Sequence, residues 1–143
     1  MAAVTGKQIK DWLEKELNNV FTKAAEERLG GWVVKFKGIK IFFNTFDENG
    51  KRVKEISVGG KALAPDKAYN ICACKRDGNP ANMLCRIEDV TNAKNTPHTL
   101  HTILKGYLAI HSPVTPVPPM KAKVLDAPQT LLTQVTGVNY QFH

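Results

Sequence analysis

Thr5-Gly6-Lys7-Gln8-Ile9-Lys10-Asp11-Trp12-Leu13-Glu14-Lys15-Glu16-Leu17-Asn18-Asn19-Val20-Phe21 decides how the chain begins. Ile9, Trp12, Leu13, Leu17, Val20 and Phe21 recur at helical spacing, and Ala24 extends the same stripe. Lys, Asp and Glu fill the other side. Thr5 and Gln8 stand at the spacing of a capping box. Gly30-Gly31 supplies a stop. The pattern predicts an amphipathic helix over residues 5–29, with one face turned to a core.

Downstream the period changes. Trp32, Val34 and Phe36 share one parity, whereas Ile39, Ile41 and Phe43 share the other. A strand that flips phase at Lys37-Gly38 needs a bulge or bend there. Asp47-Glu48-Asn49-Gly50 predicts a hairpin turn, and Val53, Ile56 and Val58 the return strand. Gly59-Gly60 makes a second turn, and Ala68 to Cys74 a third strand. Lys75 to Asn82 is polar and loop-like, Met83 to Ile87 could open a short helix, and residues 91–96 form another loop. Thr96-Pro97 reads as a helix start. Leu100, Ile103, Leu104, Tyr107 and Leu108 give that helix an apolar face, and Ser112-Pro113 ends it. Pro113, Pro116, Pro118 and Pro119 make a stiff connector, after which Ala122–Leu125 and Val138–Phe142 are candidate strands. The order predicts an α+β fold: a mixed β-sheet with a long N-terminal helix and a second helix packed on it. Its 143 residues suit one domain, 1–143, able to bury a core without staples.

The net charge of +7 would draw anions, but no run of Lys or Arg exceeds two. That dispersal favours a solvated surface over a nucleic-acid patch, so a basic nucleic-acid or protein-binding module ranks last. Cys72, Cys74 and Cys85 are too few and oddly spaced for a disulfide framework or a zinc site. They read as small core residues, with one pairing to Cys85 left open if the protein is exported. His98 and His101 lie one helical turn apart without a carboxylate cluster, and read as surface residues. No stretch has the length of a membrane span, and residues 1–30 lack a signal-peptide core.

Several pieces together resemble the C-terminal domain of the 5′-nucleotidase family. Thr5-Gly6-Lys7-Gln8-Ile9 through Leu13-Glu14 is similar to its Thr-Gly-x-x-Leu…Leu-Glu opening. Gly30-Gly31-Trp32, Lys37-Gly38-Ile39 and Phe42-Phe43-Asn44 resemble its aromatic-to-Ser-Gly-Leu stretch and following Tyr-Asp. Arg52-Val53, Ile56-Ser57-Val58 and Gly60-Lys61-Ala62-Leu63-Ala64-Pro65-Asp66-Lys67-Ala68-Tyr69 resemble its Gly-Lys-Pro-Leu-x-Pro-x-Lys-x-Tyr hairpin. Tyr107-Leu108 and Ser112-Pro113 resemble its last helix and exit. The likeness covers about residues 4–125.

The resemblance implies a substrate-recognition domain of a two-domain, exported, metal-dependent phosphohydrolase. An N-terminal metallophosphoesterase domain would be its partner and would hold the divalent metal ions, with no catalytic residue or cofactor in this chain. The signal for export and the family's Gly-rich arginine motif would precede Met1. In the family two aromatic rings clamp the nucleobase. Trp32 falls at the first ring, with a strand-opening core residue as its plain structural alternative. Arg76 stands nearest the second, and only Asp77-Gly78 remains of the loop that follows it. A guanidinium can stack on a base or grip an anion. Trp32, Arg76, Asp77 and Asn79, with Lys75 beside them, are therefore the expected substrate-binding residues. The ligand would be a nucleotide or another small anion. The altered loop also suits the related thiosulfohydrolases, which share the two-domain plan and do not hydrolyse nucleotides.

Overall fold

The computed structural model describes residues 1–29, 35–75, 77–115 and 122–126. Among these described residues there are two α-helices, α1 (Gly6–Phe21) and α2 (Leu100–His111). Six strands accompany them: β1 (Ala2–Thr5), β2 (Ile39–Phe43), β3 (Val53–Val58), β4 (Lys61–Ala62), β5 (Ala68–Ile71) and β6 (Ala122–Val124). The fold is α+β. Strands β4-β3-β2-β6 form a mixed sheet in which β6 alone runs parallel to its neighbour, and β1 pairs antiparallel with β5.

The chain divides into two compact units. One comprises Met1–Trp12 with Leu63–Met120, the other Leu13–Ala62 with Lys121–His143. In the first, Ala2, Val4 and Ile9 are buried with Leu84, Ile87 and Val90. In the second, Leu13 and Leu17 are buried with Ile41, Phe43, Val53 and Ile56. Of the stripe read from the sequence, Ile9, Leu13 and Leu17 are thus buried and Trp12, Val20 and Phe21 half-buried, while Glu14 and Glu16, expected on the polar side, are buried as well.

The start of α1 is capped as its spacing implies. The Thr5 N–H donates to Gln8 Oε1 at 2.7 Å, and the Gln8 N–H to Thr5 Oγ1 at 3.2 Å. Its end comes earlier than Gly30, at Phe21. Asn18, Asn19 and Thr22 are weak helix formers, and side-chain bonds turn the chain instead. Thr22 Oγ1 donates to Glu27 Oε2 at 3.0 Å, and Arg28 Nε donates to the Thr22 carbonyl at 2.8 Å. A short 3-10 turn follows at Ala25–Glu27.

The bend foreseen at Lys37-Gly38 is present: Gly38 has φ of 89°, and the regular strand begins only at Ile39. Trp32 and Val34 of that parity argument lie outside the described residues, as do Pro116, Pro118, Pro119 and the Val138–Phe142 candidate strand. The Asn49-Gly50 hairpin forms, with Gly50 at φ of 80° and the Lys51 N–H donating to the Glu48 carbonyl at 3.0 Å. A register shift between Phe42 and Phe43 accompanies it. There Glu14 becomes structural. Its buried carboxylate accepts the backbone N–H of Arg52 at 3.1 Å and of Val53 at 2.7 Å.

Three further expectations are corrected. The second helix starts at Leu100, capped by Thr99 rather than Thr96; the Thr99 hydroxyl accepts the Thr102 N–H. It was expected to pack by its apolar face, yet none of its residues is buried, and Leu100 and Ile110 are 77% and 80% exposed. Residues 83–87 form no helix. Leu84 and Ile87 bridge across a tight turn whose central residues, Cys85 and Arg86, have φ of 50° and 68°.

Candidate functional site

The strand pair β1-β5 fixes one edge of a cavity. The β1 segment is also bonded on its other side, where Ala3 and Thr91 exchange backbone hydrogen bonds at 2.8 and 3.0 Å, and the Lys94 N–H donates to the Met1 carbonyl at 2.8 Å. Residues 91–96 are thereby held beside the chain leaving β5. Between them opens a cavity of about 490 Å³. Lys75, Lys94, Asn95, Thr96 and Cys72 give its wall donors and a thiol, and Met83 and Leu84 add apolar surface. A lining that includes two lysines, an asparagine and a threonine suits a small anion.

The loop that adds Ala81, Met83 and Leu84 to the lining is tied down locally. The Cys85 N–H donates to the Cys74 carbonyl at 3.0 Å, the Val90 N–H to the Asn82 carbonyl at 2.9 Å, and Asn82 Nδ2 to Asp89 Oδ1 at 3.0 Å. Four non-glycine residues in this stretch adopt positive φ: Cys85, Arg86, Asp89 and Asn92. Left-handed backbone costs of order 1–3 kcal/mol per such residue, so the surrounding bonds must hold it.

Of the residues named from sequence, Lys75 lines the cavity and is exposed. Asp77 is exposed in the turn with Gly78, and Asn79 is half-buried; neither lines the cavity. Trp32 and Arg76 lie outside the described residues. Lys94, Asn95 and Thr96 escaped the sequence reading because residues 91–96 look like any polar loop. Their placement comes from pairing with β1, a contact some 90 residues apart in the chain.

Among the described residues, no three or more His, Cys, Asp or Glu side chains converge to hold a metal ion. His98, His101 and His111 are exposed; His111 stacks on Tyr107 with ring centroids 4.2 Å apart. These residues do not fit a two-metal centre. Among the described residues no helix is long and apolar enough to cross a membrane.

The chain is similar to the sulfate thiohydrolase SoxB of Thermus thermophilus, solved in complex with glycerol, with a TM-score of 0.66 and 25% identity. The likeness covers 99% of this chain and 23% of that one, so the chain spans about a quarter of its relative's length. A comparison with curated proteins finds no match. Residues 1–75 match the model for the 5′-nucleotidase C-terminal domain. That is more than half of the 143 residues and includes α1, its capping box and the Gly60–Tyr69 segment, and the chain belongs to the 5′-nucleotidase C-terminal domain family.

Proposed function

We propose that residues 1–143 serve as the substrate-recognition domain of an exported, metal-dependent hydrolase of the 5′-nucleotidase type. The catalytic partner is an N-terminal metallophosphoesterase domain of the same parent chain, which supplies the divalent metal ions and their activated water. The observation that carries this reading is the family match over residues 1–75. The chain's likeness to only 23% of the SoxB chain supports it, because a relative of that length has room for a further domain.

For the substrate, a nucleotide or related phosphoester is the family reading. A second reading, a thiosulfohydrolase-like enzyme acting on a sulfur anion, is favoured by one specific observation. The described cavity wall carries Lys75 and Lys94 but no aromatic ring on which a base could stack. A nucleotide site gains about 1–3 kcal/mol from each stacked base, whereas a small anion needs only charge and donors.

The test is an NMR titration of the chain with adenosine monophosphate, adenosine and thiosulfate. Shifts at Lys75, Lys94 and Thr96 with thiosulfate and the monophosphate, but not adenosine, support anion recognition at the cavity. Shifts at Trp32 and residues 75–79 with adenosine itself support the nucleobase clamp. No saturable shift with any of the three overturns the recognition role.

A further inference from the structure

Cys74 and Cys85 bracket the loop that carries Lys75, Asp77 and Asn79. Cys74 is exposed, and Cys85 is half-buried at the first central position of the Leu84–Ile87 turn. Their backbones touch, since the Cys85 N–H donates to the Cys74 carbonyl at 3.0 Å. Standard bond lengths put a nitrogen about 1.46 Å, and a carbonyl oxygen about 2.4 Å, from its own Cα; that one bond therefore keeps the two Cα atoms within about 7 Å. Disulfides span about 4.4–6.8 Å between Cα atoms. Cys72 lies two residues upstream of Cys74, just past the end of β5 at Ile71. Metal ligation is a poor alternative, because the described residues offer no group of three ligating side chains.

We propose that Cys74 and Cys85 form a reversible disulfide that closes residues 75–84 into a covalent loop at the cavity edge. The exposed Cys74 thiolate attacks one sulfur of a low-molecular-weight disulfide and expels one thiol. The Cys85 thiolate then attacks the Cys74 sulfur of the mixed disulfide and expels the second. The two protein thiols lose two protons and two electrons, and the external disulfide takes both up as two thiols. Cys85 is held at φ of 50°, a conformation a cross-link would help to maintain. The bond would fix the spacing of Lys75 from the turn at Leu84, both of which line the cavity.

This inference does not depend on which substrate the domain recognises. It is tested on the whole chain, equilibrated with oxidised glutathione and then alkylated, digested and mapped by mass spectrometry. The expected result is a loss of two hydrogens, a linked Cys74–Cys85 peptide, and alkylation confined to Cys72. The melting temperature should rise by about 5–10 °C on oxidation, as closing a loop of this size in the unfolded chain implies, and fall back with dithiothreitol. Cys72→Ser should retain the linked peptide, and Cys74→Ser should abolish it. Three alkylated thiols in folded, oxidised protein would overturn the proposal. So would a cross-link through Cys72, or an oxidised form that melts no higher than the reduced one.

Discussion

Gly6 shows what one residue of the family motif is for. Its N–H donates to the Lys67 carbonyl at 3.0 Å, and the next N–H, of Lys7, donates to the Pro65 carbonyl at 2.8 Å. The first turn of α1 is thereby pressed onto the Leu63–Lys67 segment. A methyl group at Gly6 would run into the Ala64 carbonyl oxygen, a backbone atom that cannot swing aside. Tyr69 secures the same carbonyl-bearing residue from the other end, its hydroxyl accepting the Ala64 N–H at 3.0 Å. Thr5-Gly6 and the Leu63–Tyr69 part of the motif therefore belong to one contact. Gly6→Ala should destabilise the chain by about 1–3 kcal/mol or more, the usual range for forced overpacking. A thermal melt checks this against Gly50→Ala, which meets nothing within 4 Å and strains only a turn at φ of 80°. A Gly6→Ala melt no lower than that of Gly50→Ala would refute the contact as the motif's cause.

At the scale of elements, β6 is held by more than its ladder. The Asp126 carboxylate accepts the Thr45 N–H at 2.8 Å, the Thr45 hydroxyl at 3.0 Å and the Phe46 N–H at 2.9 Å. Desolvation opposes its ionisation, but the hydrogen bonds from Phe46 and Thr45 outweigh it and hold the carboxyl below its ordinary value. Asp47 is likewise lowered, chiefly by the hydrogen-bonded Lys54 ammonium. A carboxyl depressed in the folded state binds protons more readily when unfolded, so its stabilisation is complete above the unfolded value near 3.8. It is lost as pH falls through the lower, folded value. Asp126→Asn should therefore melt below the wild type at pH 6, and the two curves should converge as pH falls through the carboxyl's lowered, folded value. A gap that persists undiminished at low pH would show that ionisation of Asp126 is not what secures β6.

The same elements show where sequence reading succeeds. Period, capping box and Asn49-Gly50 turn are local signals, and α1, β2 and β3 followed from them. Strand β1 was invisible because Ala2-Ala3-Val4-Thr5 is too short to show a period, and its partners Ala68–Ile71 and Thr91 are remote. The Leu84–Ile87 turn was missed because Cys85 and Arg86 occupy conformations that usually advertise themselves by Gly or Asn. Lys75 was legible in the candidate site through its neighbours in the motif, whereas Lys94 and Thr96 were not, being brought there by the β1 pairing alone.

For the whole molecule, charge and ligand placement point the same way. Twenty Lys and Arg against thirteen Asp and Glu leave a net +7, which raises the local concentration of anions without providing a means to cleave them. Hydrolysis of a phosphoester at a two-metal centre needs an activated water and a clamp on both the attacking and the leaving oxygen. Such a centre requires several imidazoles and carboxylates converging on one open site, and among the described residues no three of them do. The purified chain should therefore release no phosphate from adenosine monophosphate with magnesium, manganese or zinc, even under conditions where the titration shows it binding an anion. A chain that also carries the proposed metallophosphoesterase domain should turn over its substrate, and Lys75→Ala with Lys94→Ala in that longer chain should raise KM for an anionic substrate more than they lower kcat, because both lysines act on binding. Metal-dependent phosphate release that co-purifies with the short chain would place a catalytic centre within it and would end the reading of this domain as a recognition module alone.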